Sequence, residues 1–119
     1  AHKDYLRAAL YGFEAFYDRV LEHENYRESH DYELRKQTFD TYLTRVRDNR
    51  KGGAGEANNQ KINTAYDKLR DIRNALAHGS DPNGASEKRL AEIKSILGNE
   101  DKLAQTLHDA LQILKNTTL

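Results

Sequence analysis

The chain has 119 residues, enough for one core of ordinary domain size, and its 19 basic and 19 acidic side chains cancel. A neutral balance leaves no global field to gather a polyanion, so any contact with nucleic acid must be local. The absence of cysteine excludes disulfides, thiolate metal sites and cysteine nucleophiles, and fits a reducing, cytoplasmic setting. No run approaches the roughly 20 apolar residues of a membrane span, so no membrane partner is expected.

Helical periodicity starts almost at once. Residues 3 to 24 place Leu6, Ala9, Leu10, Phe13, Phe16, Tyr17, Val20 and Leu21 at three- and four-residue spacing, the signature of an amphipathic helix. A chain that opens inside such a pattern, with no methionine anywhere, reads as a piece of a longer protein. The polar stretch from Glu22 to Asp31 interrupts the pattern, and a second helix runs to about Asp48 on Phe39, Tyr42, Leu43 and Val46. Residues 49 to 60, with Gly52, Gly53, Gly55 and paired asparagines, read as a flexible loop.

A third helix is expected from about Asn58 to Ala77. Gly79 can accept a left-handed capping conformation and Pro82 cannot continue a helix, so the two form a stop. Ser86 can cap a fourth helix bearing Leu90, Ile93, Ile96 and Leu97, which Gly98 ends. Asn99 can cap a fifth with Leu103, Leu107, Leu111 and Leu114. No strand pattern competes. Five helices joined mostly by short connections predict a single all-α antiparallel bundle over residues 1–119.

Several candidate sites lose to plainer readings. Lys51-Gly52-Gly53-Ala54-Gly55 lacks the Gly-Lys-Ser/Thr ending of a phosphate-binding loop, and no strand precedes it. The basic run Arg45, Arg47, Arg50 and Lys51 could touch phosphates, but positive charge also suits a helix C-terminus. His23-Glu24 begins like a zinc-protease pair, yet Arg27 stands where the second histidine is needed. His2, His30 and His108 have no second ligand at a suitable spacing. Tyr5, Tyr17, Tyr42 and Tyr66 continue apolar faces and are core or interface candidates before they are stacking platforms.

The end of the third helix is different. At about 100° per residue, Ile62, Tyr66, Leu69, Arg73 and Leu76 share one stripe, with Arg73 near its middle. An arginine is rarely buried without a partner, so this one should reach an interior anion, a cavity or a subunit interface. The plain alternative is a cation in the last turns answering the helix dipole, with Gly79 as an ordinary stop. With ten arginines and five histidines in the chain, the spacing from Arg73 to His78 has little weight alone. The apolar position of Arg73, the adjacent Asn74, the small Ala75-Leu76-Ala77 spacer and the helix end at His78 give it more.

The stretch Leu69-Arg70-Asp71-Ile72-Arg73-Asn74-Ala75-Leu76-Ala77-His78-Gly79 resembles the R-x(4–6)-H motif of HEPN domains, whose commonest form has Asn after the Arg. The all-helical layout extends that resemblance along the chain. Within the superfamily it looks most like the effector domain of the CRISPR-associated type III ancillary ribonucleases, antiviral proteins in which that domain follows a ligand-sensing CARF domain. A regulatory domain or partner outside this chain is therefore expected. The resemblance implies a metal-independent endoribonuclease with no cofactor, acting as a homodimer on single-stranded RNA, with Arg73 and His78 catalytic and Asn74 supporting them. Such an enzyme directs the ribose 2′-hydroxyl at the adjacent phosphorus, leaving 2′,3′-cyclic phosphate and 5′-hydroxyl ends. A guanidinium can fork onto phosphate oxygens and stabilise developing charge, and an imidazole can exchange or position a proton near neutral pH. A catalytically silent HEPN-like module for dimerisation or nucleotide binding is the competing expectation.

Geometry adds a condition. On an unbroken helix His78 projects about 140° away from Arg73, since the two are five residues apart. Either the helix ends before His78, or two subunits supply complementary groups across a two-fold axis.

Overall fold

The structure, a computed structural model, describes residues 2–25, 30–48, 56–78 and 87–119, except for the side chains of residues 2, 3, 56 and 78. Five helices carry the chain: α1 (His2–His23), α2 (Tyr32–Asp48), α3 (Glu56–His78), α4 (Glu87–Leu97) and α5 (Glu100–Asn116). They pack as an all-α bundle, and none is long and apolar enough to cross a membrane.

Local chemistry sets several of the helix ends. Asn25 turns left-handed at φ 66° just past α1, a conformation that asparagine accepts more readily than most residues. The Asp31 side chain accepts from the Leu34 amide (3.1 Å) and starts α2, a cap the sequence pattern had not located. Asn99 accepts from the Lys102 amide (3.1 Å) and caps α5 as its position predicts. The α3 helix begins two residues before its expected start and continues one beyond its expected end. The glycine-rich segment 51–55, Ser86, and the stop at Gly79 and Pro82 lie outside the described residues.

All four other helices contact α3, which makes it the centre of the bundle. It runs antiparallel to α1, since Phe16 meets Tyr66 while Tyr5 packs on the cluster containing Ile72. It is also antiparallel to α5: Asn58 donates to the Thr118 carbonyl near its start, and Ile72 joins Leu103 near its end. The main core gathers Phe16, Val20, Phe39, Tyr42, Leu43, Ile62, Leu69 and Leu107 between α1, α2, α3 and α5. A smaller core of Ile72, Ile96 and Leu103, with Tyr5, Leu76 and Leu97 against it, closes the pole where α3 ends.

The four expected tyrosines all enter these cores. Tyr42 is buried, while Tyr5, Tyr17 and Tyr66 are partly buried against the clusters. Phe13, Phe16, Phe39 and Tyr66 form a chain of tilted and edge-on rings between α1, α2 and α3. Gly12 lets α5 approach α1, because a Cβ there would collide with Leu111 Cδ2.

Candidate active site

Arg73 does not lie at the middle of the buried face of α3. Ile62 and Leu69 are buried as the stripe predicts, but Tyr66, Arg73 and Leu76 are only partly so. The buried positions of the last turns are Asp71, Ile72 and Ala75. A helix surrounded by four others need not bury the same azimuth along its whole length. Near its C-terminal end α3 turns its deepest side toward the small core shared with α4 and α5, which leaves Arg73 on the shoulder facing α1.

There Arg73 is held by two contacts. Its guanidinium carbon stands 4.5 Å from the centroid of the Phe13 ring, a cation–π distance. Its Nε and Nη2 both donate to Asn74 Oδ1, at 3.2 and 3.0 Å. Asn74 thus touches Arg73 directly.

The neighbouring cations are compensated. Arg47 donates to Asn63 and Asp67, both at 3.2 Å, and Arg70 reaches Asp67 at 3.3 Å and Asp71 at 3.8 Å. Arg45, in the basic run at the end of α2, pairs with Glu24. Arg50 and Lys51 of that run lie outside the described residues. Among the described residues no carboxylate stands within ion-pair distance of Arg73, although the guanidinium is partly buried. Burial pushes the Tyr66 phenol above its usual range, against the opposing pull of Arg73, Arg70 and Arg47. Three guanidiniums therefore influence the phenol at the centre of this face.

His78 is the last residue of α3, and its side chain lies outside what the structure describes. The helical backbone continues through it, so α3 does not break between Arg73 and His78. At about 100° per residue the two positions are separated by about 140° around the axis. Of the two arrangements anticipated for the pair, a helix that stops short of His78 is not the one adopted.

Two residues of this region escape a reading of the periodicity. Asp71 is 4% exposed although it lies opposite Ile62 on a helical projection, where solvent would be expected. It accepts from Arg89 of α4 at 2.7 and 2.5 Å, a pairing across two helices that no spacing rule contains. Phe13 reads as a core residue of α1, and its contact with Arg73 depends on how α1 and α3 are apposed. Compared with known protein families, curated proteins and solved structures, the chain matches none of them.

Proposed function

We propose that this chain is a HEPN-type, metal-independent endoribonuclease that cleaves single-stranded RNA at a composite site formed by two subunits. The observation that carries the reading is the state of Arg73: partly buried, laid against an aromatic face, and without a carboxylate among the described residues. A guanidinium so placed has its charge available to an external anion, and phosphate matches its planar donor fork. Arg70 and Arg47 nearby are paired with Asp67 and Asp71, so the charge this face offers to an anion is that of Arg73, local as the neutral net charge requires.

In the proposed reaction the 2′-oxygen attacks the adjacent phosphorus as its proton leaves to a base. The phosphorus–O5′ bond breaks, and the departing 5′-oxygen takes up a proton. Arg73 stabilises the charge on the non-bridging oxygens. His78 takes the proton-handling part, an assignment that rests on the motif resemblance.

The unbroken helix through His78 favours the two-subunit form of the site. A second support is the face of α1 beside Arg73. Leu10, three residues before Phe13, is 46% exposed and its neighbour Tyr11 is 64% exposed, while Phe13 itself is packed inward against the core. A homodimer joined along that face brings two Arg73 side chains to one seam.

Incubating labelled single-stranded RNA with the protein under excess chelator tests the reading. Cleavage should yield cyclic phosphate ends and be lost in Arg73→Ala, in His78→Ala and on a 2′-deoxy substrate. An inactive wild type would favour the silent binding module, and cleavage unchanged in either variant would refute the site. Sedimentation at micromolar concentration should give a dimer; a monomer rules out the composite site.

A further inference from the structure

Among the described residues, three arginines lie over aromatic rings. Arg35 stands 5.6 Å from the Tyr17 centroid and Arg45 5.6 Å from that of Tyr42, and each also pairs with a carboxylate, Asp18 and Glu24 respectively. Arg73 lies closest to its ring, at 4.5 Å, and has no carboxylate among the described residues. The Phe13 ring is in turn held edge-on by Tyr66, with centroids 5.3 Å apart and planes at 87°.

An arginine side chain has many rotamers, and a guanidinium useful for catalysis must lose most of them before substrate arrives. Here one face is set by Phe13, while Asn74 occupies the Nε–Nη2 edge. The remaining nitrogen, Nη1, has no hydrogen-bond partner among the described residues. Asn74 supplies only one acceptor atom, about which the side chain could still swing. The aromatic face removes that freedom without neutralising the charge, which an aspartate or glutamate in its place would do.

We infer that Phe13 is a positioning residue for Arg73: its π face, rather than its bulk, orients the guanidinium and leaves Nη1 for a phosphate oxygen. The consequence for cleavage rests on the ribonuclease reading above, whereas the orientation of Arg73 does not. Leucine at position 13 preserves most of the apolar volume and removes the quadrupole, and tyrosine preserves the face.

The test combines kinetics and NMR on the full chain. In the wild type, ring current should move the Arg73 δ-protons and Nε–H proton upfield of ordinary arginine positions. Phe13→Leu should return them to ordinary positions and lower kcat about tenfold with KM little changed, whereas Phe13→Tyr should keep both properties near wild type. Wild-type Arg73 resonances at ordinary positions would overturn the inference without recourse to any variant, including one that fails to fold. Full activity in Phe13→Leu beside an inactive Arg73→Ala would overturn it and leave the ribonuclease reading standing. Full activity in Arg73→Ala would instead remove the ribonuclease reading; the wild-type upfield shifts and their retention in Phe13→Tyr would then decide the orientation alone.

Discussion

Asp71 and Arg89 form the bidentate ion pair that ties α4 to α3, with the carboxylate buried and the guanidinium about one-third exposed. The hydrogen bond to Asp71 pushes the Arg89 guanidinium above its ordinary value, against the desolvation that lowers it. Removing one partner of a buried pair leaves the other uncompensated, and the exposure of Arg89 reduces that penalty. Asp71→Ala should therefore cost about 2 kcal/mol, seen as a fall of roughly 6–10 °C in Tm. Asp71→Asn should cost less, since an amide oxygen still accepts from Arg89. An unchanged Tm in Asp71→Ala would mean that this pair does not hold α4 in solution.

Asn74→Asp changes one atom in size hardly at all and the electrostatics of Arg73 a great deal. The asparagine oxygen now accepts from Nε and Nη2, and a carboxylate there would pair with the guanidinium and cancel its charge toward a phosphate. RNA cleavage should fall at least about tenfold while Tm changes by no more than a few degrees. Undiminished cleavage by a folded Asn74→Asp protein would show that the free charge of Arg73 is not what the reaction uses.

Tyr42 links stability to alkaline pH. It is 3% exposed, its hydroxyl has no hydrogen-bond partner among the described residues, and burial raises its pKa from 10.0 to about 12 against the pull of Arg19 and Arg45. A folded-state pKa above the unfolded value means that the folded protein holds the proton more tightly. The contribution is fully present below pH 10 and is lost as pH rises from 10 through about 12. It amounts to about 2–3 kcal/mol. Tyr42→Phe removes an unpaired hydroxyl, so it should leave stability at pH 7 unchanged or raise it by about 1 kcal/mol. Denaturant unfolding at pH 7 and pH 11 should show a smaller alkaline loss in the variant. Equal losses in the two proteins would exclude Tyr42 as the titrating group.

Gly12 and Leu111 should be coupled. Alanine at an interior helix position gains about 1 kcal/mol over glycine. In this protein the new Cβ collides with Leu111 Cδ2 and forces that side chain to move. Gly12→Ala should accordingly be neutral or mildly destabilising in the wild-type background and stabilising by about 1 kcal/mol in a Leu111→Ala background. A double-mutant cycle by chemical denaturation measures the difference. Additive effects would show that α1 and α5 are not so close in solution.

The sequence alone determined the helices and much of what lies inside them. Three- and four-residue apolar spacing locates α1 to α5, Asn99 marks the cap of α5, and Tyr5, Tyr17, Tyr42 and Tyr66 follow the apolar faces inward. Those signals are local, because a helix records its own periodicity and its own end chemistry. The sequence also singles out Arg73 and Asn74, and the two side chains do touch.

Only the tertiary structure decided which azimuth of α3 is deepest at each level. Periodicity gives the angle of a residue around its own helix but not which neighbouring helix covers that angle. With four helices around α3, the burial of Asp71 against Arg89 and the move of Arg73 onto the shoulder beside Phe13 follow from how those helices are apposed. The partners of Arg73 and Asp71 across the bundle, Phe13 and Arg89, lie far from the spacing rules of one helix. Their contacts exist because the packed chain brings distant faces within a few ångströms.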